Sequence, residues 1–105
     1  MKELLAFYSD IGNERVGLVL KDGKIIELPN QALNPSEGSK IDIMDLIQYE
    51  DLAMATFHTH PGGSSELSLD DHKAFSNWPE FKHYIIGKDG VTCYSVKGKS
   101  VIKDA

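Results

Sequence analysis

The stretch 57–71, FHTHPGGSSELSLDD, constrains this chain more than any other. His58 and His60 follow an apolar run that predicts a buried β-strand. Alternate side chains of a strand share one face, so the two imidazoles emerge side by side, about 6.5–7 Å apart along the strand. Pro61 and the two glycines after it predict a sharp turn, and Asp71 follows in a short polar segment. We therefore predict a metal site formed by His58, His60 and Asp71, with a fourth position open for water as in catalytic zinc sites.

Ser68 also has a purely structural interpretation. A serine at an N-cap with an acid three residues later resembles a capping box, which predicts a helix that starts at Leu69. The two interpretations are compatible, because a helix start would hold Asp71 rigidly while one of its oxygens faces a metal. An isolated histidine is more often a core or surface residue than a ligand, so His72 and His83 are not predicted to bind the metal.

The spacing of these residues resembles a known signature. His58-x-His60, seven residues, Ser68, two residues and Asp71 match the JAMM (JAB/MPN) metallopeptidase pattern H-x-H-x7-S-x2-D. The family's remaining catalytic residue is an upstream glutamate, and Glu14-Arg-Val-Gly17 resembles the E-x-x-G form of prokaryotic and phage members. The resemblance covers most of the chain and implies a compact JAB domain with a cytidine deaminase-like architecture.

The resemblance implies a role for each residue of the site. Zn²⁺ is the expected metal, Glu14 the general base that activates the zinc water, and Ser68 a donor to that water or to the oxyanion. Glu27, Glu37 and Glu50 are weaker candidates for the base. The first lies on the far arm of a predicted hairpin, the second in a loop and the third on the polar face of a predicted helix.

Composition narrows the function further. With 105 residues the chain is expected to form a single domain, 1–105. A net charge of −5 argues against nucleic acid or an anionic membrane surface as the main partner. Cys93 is the only cysteine, which excludes an internal disulfide and a cysteine-ligated zinc finger and predicts a reducing cytoplasm. No stretch approaches the ~20 apolar residues of a membrane span, and the first residues do not resemble a signal peptide.

The remaining pattern predicts an α+β domain with a mixed sheet and helices on at least one face. Residues 2–9 suit a short helix or an edge strand, and the resemblance implies a helix. Asp22-Gly23 predicts a hairpin, 31–40 a loop, and 41–43 a brief strand. Strands are predicted at Val16–Leu20, Ile25–Leu28, 52–60, 81–86, 91–96 and 100–102. Helices are predicted at Leu69–Ser76 and at 45–51, with Met44, Leu46 and Ile47 facing inward.

The predicted activity is zinc-dependent hydrolysis of a peptide or isopeptide bond in a protein or peptide substrate. The resemblance leaves two settings open: cleavage of ubiquitin-like or sulfur-carrier C-terminal tails, and phage tail assembly. A second function class is a non-catalytic MPN-type scaffold or assembly module. A third is a metal-binding protein with no hydrolytic role. RadC-type proteins, with H-N-H-P-S-G, are also similar to His58–Gly63, but Glu14 ahead of Gly17 favours the peptidase branch.

Overall fold

Six strands form one mixed β-sheet in the computed structural model, which describes residues 2–104. The order in the sheet is β2-β1-β3-β4-β5-β6, and all neighbouring strands are antiparallel except the parallel pair β3 and β4. The predicted α+β class and mixed sheet are confirmed, and the six longer predicted strands, all but the brief one at 41–43, lie within one residue of the observed ends. The strands are β1 Val16–Leu20, β2 Ile25–Leu28, β3 Ala53–Thr59, β4 Lys82–Gly87, β5 Gly90–Lys97 and β6 Ser100–Lys103.

Three helical segments accompany the sheet: a 3₁₀ helix Lys2–Phe7, α1 Ile43–Tyr49 and α2 Leu69–Ser76. The helix predicted at the N-terminus and the helix predicted at Leu69–Ser76 are both present. The carboxylate of Asp42 accepts a hydrogen bond from the Met44 N–H at 2.9 Å, and α1 therefore begins earlier than predicted. This cap also removes the brief strand predicted at 41–43, because Ile43 is already helical.

The predicted inward face of α1 is only partly correct. Leu46 is buried, but Met44 is 66% exposed and Ile47 is 53% exposed. A helix of seven residues that starts at Ile43 makes two turns, and its side chains that pack against the core cluster are Leu46 and the half-buried Tyr49. The prediction that Met44 and Ile47 face inward is therefore wrong.

Three apolar clusters cover the two faces of the sheet. On one face the 3₁₀ helix contributes Leu4 to a cluster with Val19, Ala55, Phe57 and Ile86. On the other face α1 contributes Leu46 to a cluster with Leu18, Leu20, Ala53 and Phe81. Beside it, α2 contributes Phe75 to a cluster with Ile85 and Tyr94. The face covered by α1 and α2 also carries the polar site described below.

Asn30 organises the loop that joins β2 to α1. Its amide nitrogen donates to the carbonyl oxygens of Glu14 at 2.9 Å and Gly38 at 3.0 Å. Its side-chain oxygen accepts from the N–H groups of Ala32 at 3.0 Å and Lys40 at 3.1 Å. A single half-buried amide thus closes the predicted loop on itself and attaches it to the segment before β1. Within residues 2–104, no helix is long and apolar enough to cross a membrane.

Candidate metal centre

The pairing of β1 with β3 places Glu14 beside the two histidines. Val16 is opposite His58 in this antiparallel pair. Glu14 lies two residues before Val16 and His60 two residues after His58, so all of them project toward the same side of the sheet. Glu14, His58 and His60 each offer one ligand atom, and these atoms lie within 4.8 Å of one another. This group could hold a metal ion.

Asp71 reaches the same point from the first turn of α2. Its Oδ1 lies 2.9 Å from Nε2 of His58, and its Oδ2 lies 3.1 Å from Nε2 of His60. The Ser68 N–H donates to Oδ2 of Asp71, and the Asp71 N–H donates to Oγ of Ser68, both at 3.1 Å. The predicted capping box is therefore present, and it orients the carboxylate toward the histidines. Glu14, His58, His60, Ser68 and Asp71 all line one cleft of about 840 Å³.

The separations among the three predicted ligands suit a tetrahedral ion. The two Nε2 atoms of His58 and His60 are 3.1 Å apart, and each lies beside a different oxygen of Asp71, His58 at 2.9 Å from Oδ1 and His60 at 3.1 Å from Oδ2. Zinc bonds of about 2.0–2.1 Å in a tetrahedral arrangement imply ligand atoms about 3.3 Å apart. The side chains would need to separate by only a few tenths of an ångström to surround such an ion.

The hydrogen bonds of His60 favour a cation between its Nε2, Nε2 of His58 and the Asp71 carboxylate. Nδ1 of His60 lies 2.8 Å from the carbonyl oxygen of Ser64. A carbonyl oxygen only accepts hydrogen bonds, so Nδ1 carries a proton, and whenever the imidazole is neutral Nε2 presents a lone pair. That lone pair faces the Asp71 carboxylate and Nε2 of His58. Electron-rich atoms that meet in this way repel one another unless a proton or a metal ion lies between them.

The pKa shifts of the residues at the site also favour a bound cation. Burial alone would raise the pKa of Asp71, but the two histidines hold it well below its usual range, so the carboxylate is ionised. Burial lowers the pKa of His60, but Asp71 and the Ser64 carbonyl outweigh burial, and the net pKa is raised. Burial raises the pKa of Glu14 despite the opposing influence of His58 and His60. A carboxyl group shifted toward neutrality is suited to general base catalysis.

The other candidate bases lie in less suitable places. Glu27 binds Arg15 through two hydrogen bonds of 2.7 Å. Glu37 is exposed at the lining of the cleft. Glu50 is the C-cap of α1. Only Glu14 is both buried and within reach of the histidines.

His83 is a structural residue, in agreement with its exclusion as a ligand. Its Nδ1 lies 2.7 Å from Oγ1 of Thr56, and its Nε2 lies 3.0 Å from the carbonyl oxygen of Trp78. The ring of Phe75 stacks on it, with centroids 4.2 Å apart and planes 8° apart. The rings of Phe75 and His58 also meet edge to face, with centroids 5.8 Å apart, so the stacked rings of Phe75 and His83 pack against the candidate metal centre.

Sequence reasoning missed the residues that act through backbone groups. The Asn30 side chain donates to the backbone carbonyl of Glu14, and the backbone carbonyl of Ser64 faces Nδ1 of His60. A pattern of side chains in the sequence does not indicate such backbone contacts. The sequence Lys88-Asp89-Gly90 indicates only a hairpin turn between two strands. The apolar part of the cleft lining, which includes Ile41, Leu46 and Trp78, comes from three segments that the fold brings together.

Comparison with known proteins adds the fold alone. No protein-family model matches the sequence, and no curated protein matches it. The structure is similar to the solution structure of protein DSY2949 from Desulfitobacterium hafniense, with a TM-score of 0.75. That similarity covers 99% of this chain and 84% of the other chain at 20% sequence identity. At this identity the likeness supports a shared architecture.

Proposed function

We propose that this protein is a JAMM-type zinc metallopeptidase that hydrolyses peptide or isopeptide bonds. The observation that carries the proposal is the convergence of Nε2 of His60, Nε2 of His58 and the Asp71 carboxylate, with Glu14 alongside. Two imidazoles and a carboxylate that leave a position open are the donor set of catalytic zinc sites. The proposal assigns His58, His60 and Asp71 as the ligands.

Two residues beside the ligands, Glu14 and Ser68, have separate roles in the proposed reaction. Zinc in such a site supplies a Lewis acid and a nucleophilic water at neutral pH. With the metal bound, Glu14 would be the general base that accepts the proton of the attacking water and the acid that passes it to the leaving nitrogen. The Ser68 oxygen accepts from the Asp71 N–H, so its own O–H remains free to donate to the developing oxyanion.

The cleft suits a polypeptide substrate. Its lining combines apolar side chains such as Ile41 and Trp78 with exposed polar groups of the β2–α1 loop and with the candidate metal ligands. The substrates that the sequence resemblance suggests are the C-terminal tails of ubiquitin-like or sulfur-carrier proteins, or a protein of phage tail assembly. Either setting fits a protein that works in the cytoplasm.

The direct test compares Glu14→Gln with Glu37→Gln. Substrates are fusions and peptides that end in Gly-Gly joined to a reporter through an amide bond, assayed with zinc present. We expect Glu14→Gln to bind zinc as the wild type does but to hydrolyse about 10²–10⁴-fold more slowly, because general base catalysis contributes about that much. Glu37→Gln changes a carboxylate in the same cleft and should keep its activity. A fully active Glu14→Gln variant would show that Glu14 is not the base.

An assembly module is the second candidate function. The observation that favours it is the exposed apolar surface of α1, formed by Ile43, Met44 and Ile47, which are 59%, 66% and 53% exposed. Exposed apolar surface of this kind often marks a protein–protein contact. Under this alternative the wild type hydrolyses none of the amide-linked substrates, and the Glu14→Gln variant assembles with its partners as the wild type does.

A further inference from the structure

We propose that Asp89 is a positioning residue for the metal centre: it fixes the Ser64–Ser65 peptide, whose carbonyl holds His60 with its proton on Nδ1. The inference rests on the proposed zinc site. It assigns a role to a residue that lies in the turn between β4 and β5, outside the cleft.

Asp89 and His60 form hydrogen bonds with opposite ends of one peptide group, Ser64–Ser65. Oδ1 of Asp89 accepts from the Ser65 N–H at 2.7 Å, and Oδ2 accepts from the Ser65 hydroxyl at 3.1 Å. The carbonyl oxygen of Ser64, 2.8 Å from Nδ1 of His60, belongs to the same peptide unit as that N–H. Because a peptide group is planar, fixing its N–H also fixes the direction of its C=O.

Neighbouring groups leave this peptide little freedom. Ser65 is 2% exposed, and its hydroxyl lies 2.6 Å from Oγ1 of Thr92. The Tyr94 hydroxyl donates to the Ser65 carbonyl at 2.8 Å. A side chain at Gly87 would overlap the carbonyl carbon of Ser64 and the nitrogen of Ser65, so the peptide lies directly against the glycine backbone. Asp89 supplies the hydrogen bond that selects one orientation within this close packing.

The orientation matters because a neutral imidazole can carry its proton on either nitrogen. Only the form with Nδ1–H leaves Nε2 free for a metal. Acceptors of the second N–H of a metal-bound histidine typically change metal affinity 10–100-fold when they are removed. Asp89 is exposed, so solvent screens its charge, and its contribution comes from the position of its acceptor oxygens.

The first measurement is zinc affinity by competition with a chromophoric chelator. We expect Asp89→Ala to weaken zinc binding about tenfold, the lower end of the effect of removing such an acceptor, because the Ser64 carbonyl stays but loses its fixed orientation. Asp89→Asn keeps an oxygen for the Ser65 N–H and should bind zinc nearly as the wild type does. Asp22→Ala is the matched control, because Asp22 accepts from the Lys24 N–H at 3.0 Å in another hairpin turn, away from the site. An Asp89→Ala variant with wild-type affinity, or an Asp89→Asn variant as weak as Asp89→Ala, would overturn the positioning role.

The second measurement needs no metal. Nitrogen-15 NMR of the metal-free protein, at a pH where His60 is neutral, reports which ring nitrogen carries the proton. We expect Nδ1–H in the wild type and in Asp89→Asn, and a shift toward Nε2–H in Asp89→Ala. Asp89→Ser, which keeps a polar turn but has too short a side chain for both hydrogen bonds, serves if Asp89→Ala does not fold. An unchanged tautomer in both variants would refute the inference, whereas a wild type that binds no zinc would instead refute the proposed function.

Discussion

Two histidines of this chain show how environment decides what an imidazole does. His60 faces a carboxylate on one nitrogen and a carbonyl on the other, and these acceptors raise its pKa although burial lowers it. His83 is 1% exposed beneath Phe75. Burial lowers the pKa of His83 to about 4 although the Trp78 carbonyl opposes the shift. His60 therefore attracts a cation, and His83 stays neutral as a polar anchor inside the core.

The buried His83 makes stability depend on pH. Below pH 6.5 the unfolded chain binds a proton at this position, while the native protein does so only near pH 4. Stability therefore falls as the pH drops through this window, because the unfolded state binds more protons. We expect a loss on the order of 3 kcal/mol in the free energy of unfolding, from about 1.4 kcal/mol per pH unit.

Urea unfolding of metal-free protein at pH 4 to 7.5 measures this effect for wild type, His83→Gln and His72→Gln. The glutamine at 83 keeps one donor and one acceptor but does not titrate, so this variant should lose the pH dependence that His83 contributes. His72 is a half-buried residue of α2 that does not line the cleft, and its variant should follow the wild type. Parallel pH profiles for the wild type and His83→Gln would contradict the assignment of a buried neutral His83.

Single residues also show which features of the site can be predicted from the sequence and which cannot. Strand alternation predicts that His58 and His60 are neighbours, and helix spacing predicts the Ser68–Asp71 capping box, whereas the convergence of the two pairs was implied by the resemblance to the JAMM signature. Asp89 acts across a tertiary contact with Ser65, and a sequence in which an aspartate precedes a glycine indicates only a turn. Its part in the site appears only when the two turns are placed side by side.

At the scale of elements, the pairing of β1 with β3 determines the site. Gly17 is opposite Phe57 in this pair, and a side chain at Gly17 would overlap the Phe57 ring and the carbonyl oxygen of Ile26 in β2. The glycine therefore lets a buried aromatic ring lie across β1. This gives the E-x-x-G pattern a physical meaning: the glycine preserves the register that brings Glu14 to the histidines.

Gly17→Ala tests whether the glycine is needed for the close packing of Phe57 across β1. We expect the added methyl group to lower the free energy of unfolding by about 1–3 kcal/mol, because neither the β2 backbone nor the packed ring can move freely. Gly38→Ala is the control, since its nearest neighbour would be the Asn34 carbonyl oxygen at 3.9 Å. Chemical denaturation of both variants beside the wild type measures the difference. Equal stability of Gly17→Ala and Gly38→Ala would mean that the close approach at Gly17 is not required.

The helices show where element prediction succeeds and fails. For α2, Ser68 and Asp71 form a capping box, and the predicted bounds are correct. The bounds and inward face of α1 were predicted from apolar residues alone, whereas the Asp42 cap determines where the helix starts. In a helix of seven residues, a shift of two positions changes which side chains reach the sheet.

At the scale of the whole molecule, the proposed centre joins four segments: the approach to β1, the end of β3, the start of α2 and the turn after β4. A mixed sheet in which β3 is parallel to β4 requires a crossover, and α2 lies in that crossover. The fold class could be predicted because hairpin turns and strand lengths follow local rules. The shape of the cleft could not, because the loop closed by Asn30 depends on contacts between distant residues.

Elemental analysis of the purified protein tests the proposed centre most directly. The wild type, His60→Ala and His72→Ala are prepared without chelators and with zinc supplied. We predict about one zinc per chain in the wild type and in His72→Ala, and loss of zinc in His60→Ala, since His60 would be a ligand and His72 would not. A wild type without stoichiometric zinc, or a His60→Ala variant that retains it, would contradict the assignment of His58, His60 and Asp71 as a zinc site.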